Sequence, residues 1–163
     1  MAAKSRSGGA DSPESLQAAG ALSAAFSSLE VQVGIGTWLM LDDQHTGKGA
    51  AVTTGMRLPE LARMYVALAR KESPDAAVEF EELLSRLESL NAQYDLLVHP
   101  IWGASPEKKK DVRMAFTVQG GRWILPDVTA TKPAEVQRLT DEVVQLAQEI
   151  ATITQRHIVD VKL

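Results

Sequence analysis

The segment that follows Pro133 constrains the fold most. Its apolar residues Val136, Leu139, Val143, Leu146, Ile150 and Ile153 succeed one another at steps of three and four without a miss, and His157 extends the series. That period places one continuous seam along a helix that packs nearly parallel to another helix. A second segment behaves alike. Ser73-Pro74 supplies a capping hydroxyl and a proline at the first helical position, and Phe80, Leu83, Leu84, Leu87, Leu90, Tyr94, Leu97 and Val98 keep the same pattern until Pro100 ends or bends the helix near His99. Neither seam can stay in water. A chain of 163 residues, 45% of them apolar, can bury roughly 70% of its unfolded surface, so one ordinary core suffices without a metal or disulfide.

The remaining elements fit around these two. Ser12-Pro13-Glu14 is a helix start, and Leu22, Phe26, Leu29, Val33 and Leu39 or Met40 recur at helical spacing, which predicts a long helix over about 13–42. Inside it, Leu29 to Ile35 alternates as a half-buried strand would, and Gly34 and Gly36 each weaken a helix by about 1 kcal/mol. The Ala-rich approach and the lack of an intervening turn favour the helix. A connection rich in turn formers occupies 42–50, and a shorter helix runs from about Pro59 to Lys71 on the face Leu58, Leu61, Ala62, Tyr65, Leu68 and Ala69. Val112–Val118 and Arg122–Leu125 flank Gln119-Gly-Gly121 as a β-hairpin. The expected fold is mainly α: an up-and-down bundle of four or five helices with a small β-hairpin insertion at about 112–126. Residues 1–12 form a small, polar, disordered tail, and 13–163 form a single domain.

Charge and cysteine content narrow the function. Seventeen Lys and Arg against 21 Asp and Glu leave a net charge of −4 and a pI near 5.4, which excludes a generally basic nucleic-acid coat but allows a local basic patch. With no Cys there is no disulfide scaffold, thiolate metal site or cysteine nucleophile. Met1 to Gly9 lacks the apolar run of a signal peptide, and no uninterrupted apolar stretch reaches the ~18 residues of a membrane span. A cytoplasmic protein without membrane contact is the expectation.

Several clusters of polar residues bear on chemistry. Thr46-Gly-Lys-Gly49 falls short of a phosphate loop, since Asp42 stands where its first Gly belongs and Gly49 replaces the Ser or Thr after Lys48. Asp42, Asp43 and His45 lie in a loop with no framework to fix metal-ligand geometry, so no metal and no cofactor are expected. Glu30 lies at the edge of a buried stripe. Lys108, Lys109, Lys110 and Arg113, with Arg122 across the hairpin, could meet phosphates, although three lysines beside an edge strand also serve to block strand pairing. The last cluster is Asn91 to Gly103. With Leu87, Tyr94 and Val98 toward the core, Glu88, Asn91, Asp95 and His99 share one flank, and Asp95 at four residues from His99 can orient its imidazole for acid–base work. A His before Pro at a helix end also serves simply to bind the last carbonyls.

This cluster resembles the HEPN superfamily of helical bundles, in which a helix ends in Arg-Asn, three variable residues and His, followed by an aliphatic-Trp pair. The resemblance spans about 15–157. His99 matches the motif His, and Val98, Ile101 and Trp102 match its apolar surroundings; Asp95 stands for the Asn and Tyr94 for the Arg. The resemblance implies a homodimer built on the His99 helix, and in catalytic members a metal-independent cleavage of RNA by paired His and Arg. A phenol cannot supply the forked charge of a guanidinium. Arg86 lies roughly 160° around the helix from His99, and an acid at Asp95 repels phosphate.

The reading that follows is a non-catalytic, HEPN-like dimerisation and binding module, in a bacterial or phage defence or toxin–antitoxin setting, with an RNA or protein partner. His99 and Asp95 are its candidate catalytic pair if an endoribonuclease survives. Tyr94, Asn91, Trp102, Lys108, Lys109, Lys110, Arg113 and Arg122 are its candidate binding residues. A third reading is a structural helical-bundle partner that uses the seam of the last helix.

Overall fold

In a computed structural model the described residues are 13–41, 47–98, 101–105, 110–119, 122–130 and 132–160, with side chains described for 13–41, 47–97 and 132–160. The chain is mainly helical. Its helices are α1 (Pro13–Leu41), α2 (Lys48–Thr53), α3 (Leu58–Glu72), α4 (Pro74–Val98) and α5 (Pro133–Thr154), and α5 continues into one π-helical turn, Gln155–Val159.

Each start has a local cause. The Glu60 carboxylate accepts the Arg57 backbone N–H at 3.0 Å, with Pro59 in the first turn of α3. Ser73 alone separates α3 from α4; its N–H donates to the Ala69 carbonyl at 2.8 Å and its own carbonyl accepts from Ala77 at 3.1 Å. One residue thus closes one helix and opens the next. α1 is helical throughout, the alternating stretch Leu29–Ile35 included, because Leu29 and Val33 are needed in the core one turn apart. Gly36 is where the neighbours come closest: a Cβ there would collide with the Tyr65 ring and lie 2.9 Å from Thr154 Oγ1. Gly49 lets α2 sit on the backbone of Trp38, 3.0 Å from where its Cβ would be, and the Trp38 indole N–H donates to Thr53 Oγ1. Gly47, at φ 77°, opens α2 in the left-handed conformation. The two glycines that suggested a phosphate loop are thus spent on a turn and on a close contact.

Ion pairs and grooves reveal the helix directions. Arg70 meets Glu81 and Arg63 meets Glu88, so α3 and α4 are antiparallel. Arg86 meets Glu149 and Glu79 meets Arg156, so α4 and α5 are antiparallel as well. Along α1 and α5 the paired positions climb together, from Gln17 beside Ala134 to Gly36 beside Thr154, which makes them parallel. Hence α1, α3 and α5 run one way and α4 runs against them. The expected up-and-down order fails at the α1–α3 connection, where α2 carries the chain back along α1 before α3 starts. α3 has only 15 residues and flanks one half of the bundle.

The core contains Leu22, Phe26, Leu29, Val33, Tyr65, Phe80, Leu87 and the α5 seam Val136, Leu139, Val143, Leu146 and Ile150, each at most 3% exposed. The seam is therefore spent inside the chain, which corrects the reading of it as an external coiled-coil face. Its end is corrected too. The π turn inserts one residue per turn, so Ile158 rather than His157 takes the next core position, at 2% exposed.

Between α4 and α5 the backbone forms strands β1 (Ile101–Ser105), β2 (Lys110–Gln119) and β3 (Arg122–Ala130), antiparallel in the order β1-β2-β3. β1 was not expected; it pairs Trp102 with Arg113 in register. β3 runs past Pro126 by a register shift opposite Ala115–Thr117, where a residue without an N–H can be accommodated. α1 is long and apolar enough to cross a membrane by length and composition, with mean hydropathy 1.2 over its most apolar window, yet 39% of that window is buried inside the structure.

The contrast between two glycines of α1 is testable by thermal unfolding. Gly36→Ala should destabilise by about 1–3 kcal/mol through overpacking. Gly34→Ala, whose Cβ meets no atom of the described residues beyond its own helix backbone within 4 Å, should be neutral or stabilising by up to about 1 kcal/mol. Equal losses in both variants would contradict the assigned close approach.

Candidate functional site

The α4 flank singled out in the sequence is partly built as expected. Glu88 reaches Arg63 on α3 at 3.9 Å, and one turn further the Asn91 amide donates to Asp95 Oδ2 at 3.3 Å. Asn91 and Asp95 are half-buried. They continue the side of α4 that carries Glu81 and Glu88 toward α3. The amide at i binds the carboxylate at i+4, so Asp95 has a partner on its own helix.

Tyr94 has another role. Its ring stacks on Phe26 of α1 with centroids 4.0 Å apart and planes 29° from parallel. It packs against the core. Its place on α4 is thus set by packing against α1. Arg86 lies on the opposite flank and gives a 2.6 Å hydrogen bond to Glu149. That bond is the main cause holding the Glu149 carboxyl below the usual carboxylate range. Arg63, on the same flank, is bound to Glu88, two turns from Asp95 and about 10 Å along the axis.

His99 lies outside the described residues, as do Lys108 and Lys109, the loop residues Asp42, Asp43 and His45, and the side chains of Trp102, Lys110, Arg113 and Arg122. Among the described residues no group of three His, Asp or Glu could hold a metal ion.

At the other end of the bundle the structure assembles a polar cluster that the sequence pattern did not disclose. Glu79 on α4 accepts from Arg156 Nη1 at 3.0 and 3.1 Å and binds His157 Nε2 at 2.7 Å. The π turn makes this possible. It rotates His157 off the core stripe toward α4 while Ile158 fills the core. Glu79 has its carboxyl held below the usual range, first by the His157 hydrogen bond and then by Arg156. Behind it the Tyr65 hydroxyl lies 3.3 Å from Thr154 Oγ1, and burial pushes the phenol up. The cluster clamps α4 to the end of α5. The only advance sign was His157 in an otherwise aliphatic series. Glu30 is exposed at the edge of the α1 stripe, where partial desolvation raises its carboxyl.

Compared with known proteins, the chain matches no protein family, no curated protein and no solved structure.

The Glu79 clamp has a pH signature. A carboxyl whose folded value is depressed adds stability above its unfolded value of about 4.3, and that stability is lost as pH falls through the folded value. The thermal midpoint should therefore drop on acidification below about pH 4.3. In Glu79→Gln the midpoint should start lower at neutral pH and fall less over the same range. Parallel acid limbs for both proteins would refute the assignment.

Proposed function

We propose that the chain is a non-catalytic, HEPN-like helical module that dimerises and binds an RNA or protein partner. The β-hairpin insertion and the basic residues Lys108, Lys109, Lys110, Arg113 and Arg122 form part of its binding apparatus. The resemblance rests on Tyr94-Asp95-x-x-x-His99 and the aliphatic-Trp pair after it. A defence or toxin–antitoxin setting comes with that resemblance.

The stack of Tyr94 on Phe26 carries the non-catalytic half of the reading. Cleavage of RNA without a metal needs a cation at the crowded phosphate as well as an acid–base imidazole. Here the cation's position is given to a ring whose place is set by packing, and the neighbouring carboxylate adds negative charge. A binding module needs neither group.

Two measurements test this. Structured and single-stranded RNA incubated with the chain in EDTA should show no cleavage above a His99→Ala control. Cleavage that disappears in His99→Ala, with the helical circular dichroism intact, would establish the endoribonuclease instead. Restoring the motif cation with Tyr94→Arg should give no nuclease and should forfeit the ring stack. The expected cost is about 2–3 kcal/mol, a fall of roughly 5–10 °C in Tm.

A further inference from the structure

α1 has a second face. Its core side holds Leu22, Phe26, Leu29, Val33 and Met40. On the opposite side Leu16, Gly20, Ala24, Ser27, Val31 and Trp38 fall within about 80° of one another at 100° per residue. All six are exposed, with Leu16 and Val31 at 55% and Trp38 at 41%. None is charged. Glu14 and Glu30 are the only charged residues in the helix, and both lie off this strip. The other long helices of the same bundle put Arg63 and Lys71, Glu81 and Glu88, or Arg138 and Glu142 on their exposed sides. A helix apolar on both sides is one that is covered on both sides.

Three more observations extend the strip. Val52, next to the Thr53 that binds the Trp38 indole, is 54% exposed and continues it at one end. The groove between α1 and α5 beside it, a cavity of about 170 Å³, is lined by Ala25, Ser28, Gln32, Val144, Ala147 and Ala151, again without a charge. Gly20, within α1 and exposed, has no atom of the described residues beyond its own helix backbone within 4 Å of where a Cβ would be. Glycine weakens a helix there, and no contact among the described residues requires it.

The geometry points to a second copy of this chain as the occupant, with the two α1 helices antiparallel across a two-fold axis at Ser27. Residues 16 and 38 are equidistant from 27, so Leu16 meets the partner's Trp38 at both ends. Gly20, Ala24 and Ser27 let the backbones approach between those ends, as an isologous contact requires of a single patch. A charged partner finds no group to pair with on the strip itself, which Glu30 and Lys48 only border. A bilayer fits less well, because α1 has no Lys or Arg to meet headgroups and its other side is the core. The strip is about 33 Å long and, with its flanking groove, about 20 Å wide, roughly 650 Å² per copy against the ~800 Å² of a standard interface. The inference deepens the binding-module reading by naming its dimer face as α1 rather than the His99 helix. It is read out by mass and cross-linking, so a positive nuclease assay would overturn that reading without touching this one.

The chain has no cysteine, which makes a single introduced thiol unambiguous. Oxidised Ser27→Cys should run as a disulfide-linked dimer, whereas Ser85→Cys on the exposed side of α4 should stay monomeric under denaturing conditions. By light scattering the full chain should show twice its 17.6 kDa, and Val31→Glu should return it to that single mass with unchanged circular dichroism. A monomeric parent overturns the proposal, as does a Val31→Glu dimer or equal cross-linking at Ser85→Cys. A monomer that floats with neutral phosphatidylcholine vesicles overturns it in favour of lipid.

Discussion

One side chain holds the four long helices in register. Tyr65 leaves α3, fills the space that Gly36 vacates on α1, stacks on Phe80 of α4 with centroids 4.1 Å apart, and ends with its hydroxyl beside Thr154 of α5. It is fully buried. A ring this size contributes most of its stabilisation through area removed from water, and its hydroxyl needs a partner once buried. Thr154 supplies one, at the last residue of α5 before the π turn. The small residue on α1, the ring on α4 and the hydroxyl on α5 are thus conditions on one another. Change any of them and the spacing of the bundle at that end must change.

The ion pairs around this centre work differently. Arg70–Glu81, Arg86–Glu149 and Arg156–Glu79 sit at the surface, where a pair is worth little to stability, but they mark both seams of α4 over residues 79–86. They specify how α4 slides against its neighbours more than how tightly it is held. His157 is the exception in burial, with a side chain 17% exposed and bonded to a carboxylate. The result is a molecule whose α3, α4 and α5 exteriors are laced with charge while one exposed strip of α1 has none. That asymmetry separates surfaces that stay in water from one that need not.

Much of the helical plan could be read from spacing alone. The α5 seam, the α4 stripe and the Ser73 junction follow from local rules, and the structure places them within a residue or two of expectation. What could not be read has specific causes. Alternation over Leu29–Ile35 has strand period, yet that segment is short and lies inside a helix whose core contacts outweigh it. A π turn has no sequence signature of its own, so His157 looked like a core position. The direction of α3 depends on how α2 folds against Trp38, and the role of Gly49 in that contact looks, in the sequence, like a fragment of a phosphate loop. Of the proposed site, Asn91 and Asp95 were correctly placed on one flank. That Tyr94 belongs to the core through Phe26 was implied by its position in the stripe, but its partner 68 residues away was not.

The sequence by itself determined which segments are helical and which stripe of each is apolar, because those are matters of residue type and near-neighbour spacing. Only the tertiary structure decided which stripes meet, that three helices run together against one, and that a glutamate and a histidine 78 positions apart share a proton-sensitive contact. Those outcomes depend on shape between distant surfaces: a ring needs a glycine opposite it, and a carboxylate finds its imidazole only after the helices have packed.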